Sequence, residues 1–369
     1  MRARERRDAV VFAYAYAASE RDAVARVIDE LAKELRSQGL QVRVLGLPER
    51  LIVAPGGTPC EKFRRLSAEV GFLLRSVGVV VRRLRHLRAF VSVDVPSGLP
   101  LVGALARVLS RGRVKDVAWV MDLYRLATPQ SGTVTNIRSS VELLALRASG
   151  DIVTIGSCMA STIAELTGRE ADVIPLWHRA LRRSDPVGGA SPLQMLYSGS
   201  ARDLHPLQGL VTAIAGRDDV HLTISGSGSE VENVRAMVAD VRSTNITFRG
   251  FTPENELESA YADADLHVVS LAEQMTGTCV PSKVYASMSA GRGVFYLGSP
   301  KGQAAVDVAT SGAGVVVGSR DVRGINEALD DLVGRPGQVA NIAQRAGQFF
   351  DENRTVKAGG SRWRDRLLS

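Results

Sequence analysis

Short apolar runs alternate with amphipathic stretches along the chain. In the first half, Ala9–Tyr16 has the composition of a strand, Asp22–Ser37 keeps a helical period, Gly39 is a helix stop, and Val42–Leu47 is a second strand. Further strands are predicted at Phe90–Val95, Val117–Met121, Ile152–Ile155 and Val173–Pro175. Short buried strands separated by helices predict a parallel sheet that is covered on both faces.

The alternation stops at residues 182–192, which are rich in Arg, Gly, Ser and Pro, and then starts again. Such a composition is typical of a linker. Strands are predicted after it at Gln194–Tyr197, Val220–Ser225, Ile246–Phe248, Leu266–Val269, Val294–Leu297 and Val315–Val317. The fold class is therefore predicted as α/β, with two Rossmann-like, doubly wound parallel-sheet units.

The length of 369 residues agrees with two domains, because single cores stop growing near about 250–300 residues. We place a first domain at 1–183, a second at 184–345 and a helical tail at 346–369. The tail pattern is interrupted at Gly359-Gly360, and Trp363 is the candidate for a buried anchor. We expect this tail to return to the first domain.

Cysteine usage and the start of the chain predict a cytoplasmic location. The three cysteines are far apart and form no metal-ligand or disulfide pattern, which favours a reducing compartment. Residues 1–8 are charged, so we expect no signal peptide. The apolar stretch at 70–90 is interrupted by arginines and is not expected to cross a bilayer.

Basic residues concentrate in the first half. Residues 1–185 hold 29 Lys and Arg against 19 Asp and Glu, a balance of +10, whereas residues 186–369 hold 17 against 20, a balance of −3. The segment 62–88 combines a helical apolar period with eight Lys and Arg, which predicts an amphipathic helix with a basic face. It can rest peripherally on an anionic membrane, hold a phosphorylated acceptor, or simply pack with a solvated arginine face. No nucleic-acid partner is expected, because aromatic residues are scarce and no nucleic-acid motif occurs.

Ligands of open parallel sheets bind outside the carboxyl ends of the strands. Four loops of the second half follow strands and carry distinctive residues: 197–202, 224–229, 248–252 and 273–282. The first loop offers Gly199 for close backbone approach and Arg202 for pairing with a phosphate. His205 lies near Arg202 and is the histidine that we single out for testing. Glu273 is a further candidate in the fourth loop.

The run 280–292 is the most informative stretch, because it places Lys283 where a loop turns into a helix. Free amides at a helix start, the positive end of the helix dipole and an ammonium group together suit a diphosphate. Sugar nucleotides carry such a diphosphate. The glycines Gly226 and Gly228 fit a dinucleotide fingerprint only in part, which makes a nicotinamide enzyme the weakest alternative.

These motifs, in this order, resemble the C-terminal domain of the retaining GT-B glycosyltransferases of family 4. The residues that carry the resemblance are Tyr197–Gly199, Gly226–Gly228, Phe248–Gly250, Ala264-Asp265 and Ala290–Arg292. The run Val280–Tyr285, Asp122–Tyr124 and Val173–Trp177 are similar to the colanic-acid and fucosamine-transferase-like branch. The resemblance covers nearly the whole chain and implies two Rossmann-like domains that face a cleft.

The resemblance also implies site residues. Lys283, Arg202 and Asp122 are the candidates for catalysis. The donor-binding candidates are Gly199, Gly226, Gly228, Phe251, Thr252, Met275, Thr276, Gly277, Thr278, Ser282 and Lys283. The acceptor-binding candidates are Asp94, Asp122 and Tyr124. The family is usually metal-independent, and we expect no metal and no cofactor.

The sequence departs from the family at informative positions. Two carboxylates that contact sugar and ribose in the wider family correspond here to Thr278 and Ala286, so we expect the amides of 275–279 to take over this recognition. Met121 stands where many members have a histidine, and residues 18–21 lack the family's glycine pair.

Three functions remain open at this stage. The first is transfer of a sugar from a nucleotide-diphosphate sugar to a hydroxyl of a glycan, a lipid-linked acceptor or a specialised metabolite. The second is a catalytically degenerate GT-B binding partner, which the departures favour and Lys283 disfavours. The third is a nucleotide-sugar epimerase of the same architecture.

Overall fold

A computed structural model describes most of the chain and divides it into two compact units. Unit 1 comprises residues 1–175 and 356–369, and unit 2 comprises residues 176–355. The described residues are 9–19, 22–52, 58–93, 95–123, 133–181, 192–253 and 256–369. The division falls at residue 175, whereas the sequence placed it at 183, and residues 346–355 lie with unit 2.

Unit 1 is built on a six-stranded parallel sheet with the order β2-β1-β3-β4-β5-β6. The strands are β1 Ala9–Ala13, β2 Gln41–Leu45, β3 Leu87–Val93, β4 Lys115–Val120, β5 Asp151–Thr154 and β6 Asp172–Val173. All five residues of β1 are buried, as expected for a central strand between two helical layers. Strand β2 forms one edge of the sheet.

The helices of unit 1 are α1 Ala23–Ser37, α2 Pro59–Arg83, α3 Leu99–Leu109, α4 Thr133–Ala148 and α5 Ser157–Thr167, followed at the end of the chain by Val356–Leu368. Helix α2 confirms the helical period of the basic segment. It begins at a capping box between Thr58 and Glu61, and it ends at Arg83. Strand β3 begins at Leu87, earlier than the predicted Phe90.

Unit 2 is built on a second six-stranded parallel sheet with the order β12-β11-β10-β7-β8-β9. The strands are β7 Leu193–Ser198, β8 Val220–Ser225, β9 Ile246–Arg249, β10 Leu266–Ser270, β11 Gly293–Leu297 and β12 Gly314–Val317. Read from β9, this is the dinucleotide-binding order 3-2-1-4-5-6, and the order reverses between β7 and β10. The predicted strands of this half are confirmed.

The helices of unit 2 are α6 Gln208–Ile214, α7 Ser229–Val241, α8 Leu257–Ala262, α9 Lys283–Ser289, α10 Gln303–Ser311, α11 Val322–Gly334 and α12 Pro336–Asn353, and the last helix of the chain, Val356–Leu368, is α13. Apolar residues of the central strands form the core of unit 2 with those of α6, α7 and α11. The described helices include none that is long and apolar enough to cross a membrane.

The last helix corrects the predicted interruption of the tail. Helical structure breaks at Arg354 and Thr355, while Gly359 and Gly360 lie inside α13. Helix α13 packs against α1, and a β-carbon on Gly360 would lie 2.4 Å from Cγ of Glu34. The glycine therefore permits a close helix contact instead of ending the helix.

Trp363 is fully buried, as predicted, within the aromatic core of unit 1. Its ring centre lies 4.6 Å from that of Trp119 and 5.8 Å from that of Phe12. Burial of rings this large is worth several kcal/mol, because each aromatic side chain removes about 150–250 Å² from water. The end of the chain is thus an integral part of the core of unit 1.

Candidate donor site at the switch point of unit 2

Three loops at the carboxyl ends of β7, β8 and β9 are joined by backbone hydrogen bonds. The amide of Gly199 donates to the carbonyl of Ser225 at 2.8 Å, and the amide of Ala201 donates to that of Ser227 at 3.0 Å. The amide of Gly226 donates to the carbonyl of Arg249 at 3.1 Å. The loops therefore form one platform beside the point where the strand order reverses.

The two glycines of the second loop allow this close approach. A β-carbon on Gly226 would lie 2.0 Å from the carbonyl oxygen of Gly199, and one on Gly228 would lie 2.0 Å from that of Ala201. Both glycines also have positive φ angles, of 150° and 132°. Their observed role is to shape the platform, and direct contact with a donor stays a prediction.

Lys283 is the first residue of α9 and lies over the first loop of the platform. A β-carbon on Gly199 would lie 2.3 Å from its Nζ, and the centre of the Tyr197 ring lies 5.0 Å from Nζ. Burial lowers the pKa of Lys283 to about 8. Within the described residues, no carboxylate pairs with this ammonium group. An unpaired, partly buried cation at a switch point suits an anionic ligand.

His205 and Arg202 lie on the same side of the site as Lys283. The amide of His205 donates to the carbonyl of Arg202 at 2.7 Å, which turns the loop. Burial, together with the positive charges of Lys283 and Arg202, lowers the pKa of His205 to about 4, so its ring is neutral near pH 7. Its buried Nδ1 has no hydrogen-bond partner among the described residues.

The helix start at Lys283 offers fewer free amides than the sequence indicated. The amides of Val284 and Tyr285 donate to the carbonyls of Pro281 and Ser282, and that of Ala286 also donates to Ser282. At the start of α9, the amides of Ser282 and Lys283 are the ones that have no hydrogen-bond partner among the described residues. Since α9 has only seven residues, the ammonium group supplies most of the positive charge here.

The loop before α9 also corrects an expectation. The amides of Met275, Thr276 and Thr278 donate to carbonyls of the same loop, and the hydroxyl of Thr278 donates to the carbonyl of Met275 at 2.8 Å. These three amides are therefore not available for sugar or ribose. In this loop, the amide of Gly277 lacks a partner among the described residues, and its φ angle is +81°.

Ala286 occupies a position that cannot readily hold a carboxylate. It is buried in an apolar cluster with Leu196, Tyr261 and Ala264. An ionised side chain would lose its hydration there at a cost of several kcal/mol. The alanine at this position is thus part of the packing between α8 and α9.

The loop after β9 presents one aromatic ring to solvent. The Oγ of Ser225 donates to the carbonyl of Gly250 at 2.8 Å and lies 2.7 Å from Oγ1 of Thr252, which holds the loop to the end of β8. The side chain of Phe251 is 59% exposed. An exposed ring on a fixed loop can stack on a nucleobase.

Glu230 was not singled out from the sequence, although it organises the site. Its buried carboxylate accepts from the amide of Leu207 at 2.7 Å and from Nε2 of Gln208 at 3.3 Å, which fixes the start of α6. Its position just after the glycine turn, in the first turn of α7, was the available signal. A carboxylate at this position stabilises the start of α6, whose amide it accepts from, and the start of α7, in whose first turn it lies.

Two residues of the family-like motifs act in the framework. Oδ2 of Asp265 accepts from the amide of Gln194 at 2.8 Å and links β10 to the start of β7. Nη2 of the buried Arg292 donates to the carbonyl of Ala262 at 2.7 Å, which satisfies the end of α8. These motif positions therefore hold the strands that carry the loops.

The acceptor candidates of unit 1 are only partly described. Asp122 is exposed and lies two residues after the end of β4, at the carboxyl edge of the first sheet. Asp94 and Tyr124 lie outside the described residues. Met121 is buried and so contributes to the core. In the described parts of both units, no three His, Cys, Asp or Glu side chains are grouped in a way that could hold a metal ion.

Comparisons with known proteins agree with this architecture. Residues 203–335 match the family model of the group 1 glycosyl transferases. Sucrose-phosphate synthase from Thermosynechococcus elongatus has a similar structure, with a TM-score of 0.73, 15% identity and 98% coverage of both chains. HepE from Anabaena, in complex with UDP and glucose, has a TM-score of 0.67 and 16% identity, with 98% of this chain and 99% of that chain covered.

The chain has the GT-B glycosyltransferase fold. WaaG, a glycosyltransferase involved in lipopolysaccharide biosynthesis, is a further GT-B relative by structure, with a TM-score of 0.64, 14% identity and coverage of 98% of this chain and 100% of that chain. None of the curated proteins compared with the chain matches it. The segment of this GT-B chain that matches the family model contains Lys283, His205 and the glycine turn, while Gly199 and Arg202 lie just before it.

Proposed function

We propose that the chain is a retaining glycosyltransferase of family 4, close to the colanic-acid and fucosamine-transferase-like branch, that uses a nucleotide-diphosphate sugar. The observation that carries the proposal is Lys283, an unpaired and partly buried cation over Gly199 at the switch point of the second sheet. The family match of 203–335 and the GT-B fold support it.

The leaving diphosphate is the group that this site would stabilise. In the proposed reaction, the bond between the anomeric carbon and the diphosphate oxygen breaks, and the acceptor oxygen bonds to the same face of that carbon. The hydroxyl proton of the acceptor passes to the departing phosphate oxygen. Lys283, Arg202 and the amides of Ser282 and Gly277 would neutralise the developing charge without a metal ion.

A uridine nucleotide is the first donor to test. HepE is described in complex with UDP and with UDP-glucose. In this chain, the loop of Phe251 and Thr252 would lie against the base, while the platform around Gly199, Gly226 and Gly228 would lie under the diphosphate. Met275, Thr276 and Thr278 would contact the donor by van der Waals packing, because their backbone amides are already bonded within the loop.

The acceptor would carry a hydroxyl group on a glycan, a lipid-linked sugar or a specialised metabolite. Asp122 would orient this hydroxyl, with Asp94 and Tyr124 as further contacts. The basic segment 62–88 would bring unit 1 to an anionic membrane surface and favours a lipid-linked acceptor among these.

Calorimetry with UDP, GDP, dTDP, ADP and NAD tests the donor site. We expect one nucleoside diphosphate to bind and Lys283→Ala to lose at least tenfold in affinity, because a charge-assisted contact to a diphosphate is removed. Lys301→Ala, at an exposed lysine of the same unit, is the matched control and should bind normally. Equal affinity of wild type and Lys283→Ala would refute the proposal.

A binding protein without catalysis is the second candidate, and the packed Ala286 favours it. Incubation of the chain with the donor that binds distinguishes the two, because a transferase slowly releases nucleoside diphosphate by transfer to water or acceptor. Release that persists in EDTA and is lost in Lys283→Ala supports metal-free transfer. Donor binding without release supports the degenerate protein, and interconversion of the donor sugar supports an epimerase.

A further inference from the structure

A buried polar cluster in unit 2 joins α9 to α10 and to the end of α12. Oδ2 of Asp307 on α10 accepts from the hydroxyl of Tyr285 on α9 at 2.7 Å and from Nη2 of Arg354 at 2.6 Å. Its Oδ1 accepts from Nε2 of Gln303 at 2.9 Å. Tyr285, Asp307 and Arg354 are each at most 5% exposed. We name these three residues the buried triad.

The members of the buried triad complement each other. The guanidinium carbon of Arg354 lies 5.2 Å from the centre of the Tyr285 ring and 5.1 Å from that of the Phe349 ring. Burial, together with the charge of Asp307, raises the pKa of Tyr285 well above its ordinary value, so the hydroxyl keeps its proton and continues to donate. The carboxylate of Asp307 thus receives the hydrogen bonds that a charge removed from water requires.

Stability alone does not call for an ion pair at this place. Two charges lose their hydration on burial, and apolar side chains of similar volume often give equal or greater stability. Hydrogen bonds, in contrast to apolar contacts, depend on direction as well as distance. They therefore fix the rotation and the axial position of the helix that carries them.

The helix held by the buried triad is the one that begins with Lys283. Tyr285 follows this lysine by two residues, and every residue of α9 after Lys283 is buried. On another part of the helix, Oγ of Ser287 lies 2.8 Å from Nδ1 of His267, which fastens α9 to β10. A helix of seven residues is too short to be stable by itself, so its tertiary contacts determine where its first residue lies.

Arg354 is itself fixed through its backbone. Its amide donates to the carbonyl of Phe350 at 2.8 Å, and its carbonyl accepts from the amide of His178 at 3.0 Å. The next residue, Thr355, forms an isolated parallel bridge with His178. The break between α12 and α13 is therefore a firm base from which the guanidinium group reaches Asp307.

We propose that Tyr285, Asp307 and Arg354 are positioning residues that hold the ammonium group of Lys283 over Gly199 before any ligand binds. The three side chains are almost fully buried, so they act through α9 and not by contact with the donor. The inference rests on the proposed function, because Lys283 is the group proposed to bind the diphosphate. It names the residues on which the affinity of that group depends.

Two separate measurements on the full chain test the proposal: the pKa of Lys283, from the pH dependence of its acetylation by acetic anhydride, and the affinity for UDP, from calorimetry. We expect a pKa of about 8 in the wild type. Tyr285→Phe keeps the ring and removes only the hydroxyl. It should raise the pKa of Lys283 towards the ordinary value of about 10.4, because the displaced lysine becomes hydrated, and lower the UDP affinity about tenfold. An unchanged pKa of Lys283 in Tyr285→Phe would overturn the proposal.

Tyr197, Arg202 and His205, the titratable and charged groups described beside Lys283, are the same in every variant. A change in the pKa of Lys283 therefore reports a change in its position.

The triple variant Tyr285→Phe/Asp307→Leu/Arg354→Met separates position from stability. Its melting temperature should be close to that of the wild type, because apolar side chains replace a buried ion pair. The pKa of Lys283 and the UDP affinity should nevertheless stay at the values of Tyr285→Phe. Wild-type values of both in the triple variant would mean that packing alone positions the lysine, and would overturn the proposal. If the triple variant does not fold, Tyr285→Phe decides the question.

Leu332→Ala is the matched control for a loss of stability in unit 2, because the core cluster of Leu332 contains no residue of α9. It should lower the melting temperature, leave the pKa of Lys283 unchanged and keep the UDP affinity within about threefold. The same change of pKa in Leu332→Ala as in Tyr285→Phe would show a general loosening of unit 2 and overturn the proposal. If the wild type bound no nucleotide while the pKa of Lys283 still rose in Tyr285→Phe, the positioning would stand and the proposed donor site would be wrong.

Discussion

The β-carbon position of Gly199 lies 2.3 Å from Nζ of Lys283 and 2.7 Å from its Cε. Any side chain at residue 199 would therefore displace the lysine, and the φ angle of +121° disfavours non-glycine residues as well. The glycine after β7 and the lysine at the start of α9 form one structural pair, although 83 residues separate them in the chain.

Gly199→Ala should lower the affinity for the nucleoside diphosphate about tenfold or more, because the lysine must leave its position and the backbone is strained by about 1–3 kcal/mol. Calorimetric titration checks the affinity, and thermal unfolding checks the fold. Gly334→Ala, at the end of α11, is the control, since a β-carbon there has nothing within 4 Å. A variant Gly199→Ala that binds like wild type would contradict the pairing.

The affinity for nucleoside diphosphate should fall as the pH rises from 7 to 9. The pKa of Lys283 is lowered to about 8 by burial, so the ammonium loses its proton in this range and the attraction for an anion disappears. Titrations at several pH values measure this. Lys283→Arg keeps its charge and should bind with little change across the same range, whereas an equal fall in Lys283→Arg would assign the effect to another group.

The chain should lose stability as the pH falls from about 6.5 to about 4. His267 is buried, Nε2 lies 2.9 Å from the carbonyl of Tyr261 and Nδ1 lies 2.8 Å from Oγ of Ser287. A neutral ring donates through Nε2 to this carbonyl, while Nδ1 and the carbonyl of Lys283 share the one hydroxyl proton of Ser287. Burial lowers the pKa of His267 to about 4, below the value of about 6.5 in an unfolded chain.

Because the unfolded chain binds more protons in this window, the free energy of unfolding decreases with falling pH, by on the order of 3 kcal/mol for His267. Denaturant unfolding between pH 4 and 7 measures the slope. His267→Gln should flatten the slope, while His86→Gln, at an exposed histidine, should leave it unchanged. His205 contributes in the same direction, so some slope remains in His267→Gln.

The same substitution should have opposite effects in two helices. Gly360→Ala places a β-carbon 2.4 Å from Cγ of Glu34 and should destabilise the chain by roughly 1–2 kcal/mol through overpacking. Gly71→Ala in α2 has nothing within 4 Å and should stabilise by about 1 kcal/mol through helix propensity. Thermal unfolding of the two variants side by side checks whether Gly360→Ala lowers the stability and Gly71→Ala raises it. A stabilising Gly360→Ala would mean that Glu34 moves aside without cost.

Much of the fold could be predicted because it depends on patterns local to the sequence. The strands of unit 2 and the basic helix follow from apolar runs and helical periods. The tail could not be predicted in full, because glycine at 360 is explained by its contact with Glu34, which is far away in the chain. The break at Arg354 and Thr355 has no comparable sequence signal.

The location of the candidate site could be predicted from the sequence. Which of its backbone amides are free to donate hydrogen bonds to a ligand could not. Lys283 at a helix start and the glycine turn are visible in the sequence. Which amides are free depends on turn geometry, so the bonds of Thr276 and Thr278 within their own loop were not foreseen. The framework role of Glu230 depends on a contact with Leu207, which only the folded chain reveals.

Backbone bonds hold the platform of Gly199, Gly226 and Ala201 together, and apart from the glycines that allow the close approach, these bonds do not depend on which side chains the loops carry. Under natural selection, Ser200, Ser227 and Phe251 are thus free to change while the loops keep their positions. Drift at these three positions could alter which sugar nucleotide is preferred without first destabilising the protein, so new specificities are open to this scaffold by single substitutions.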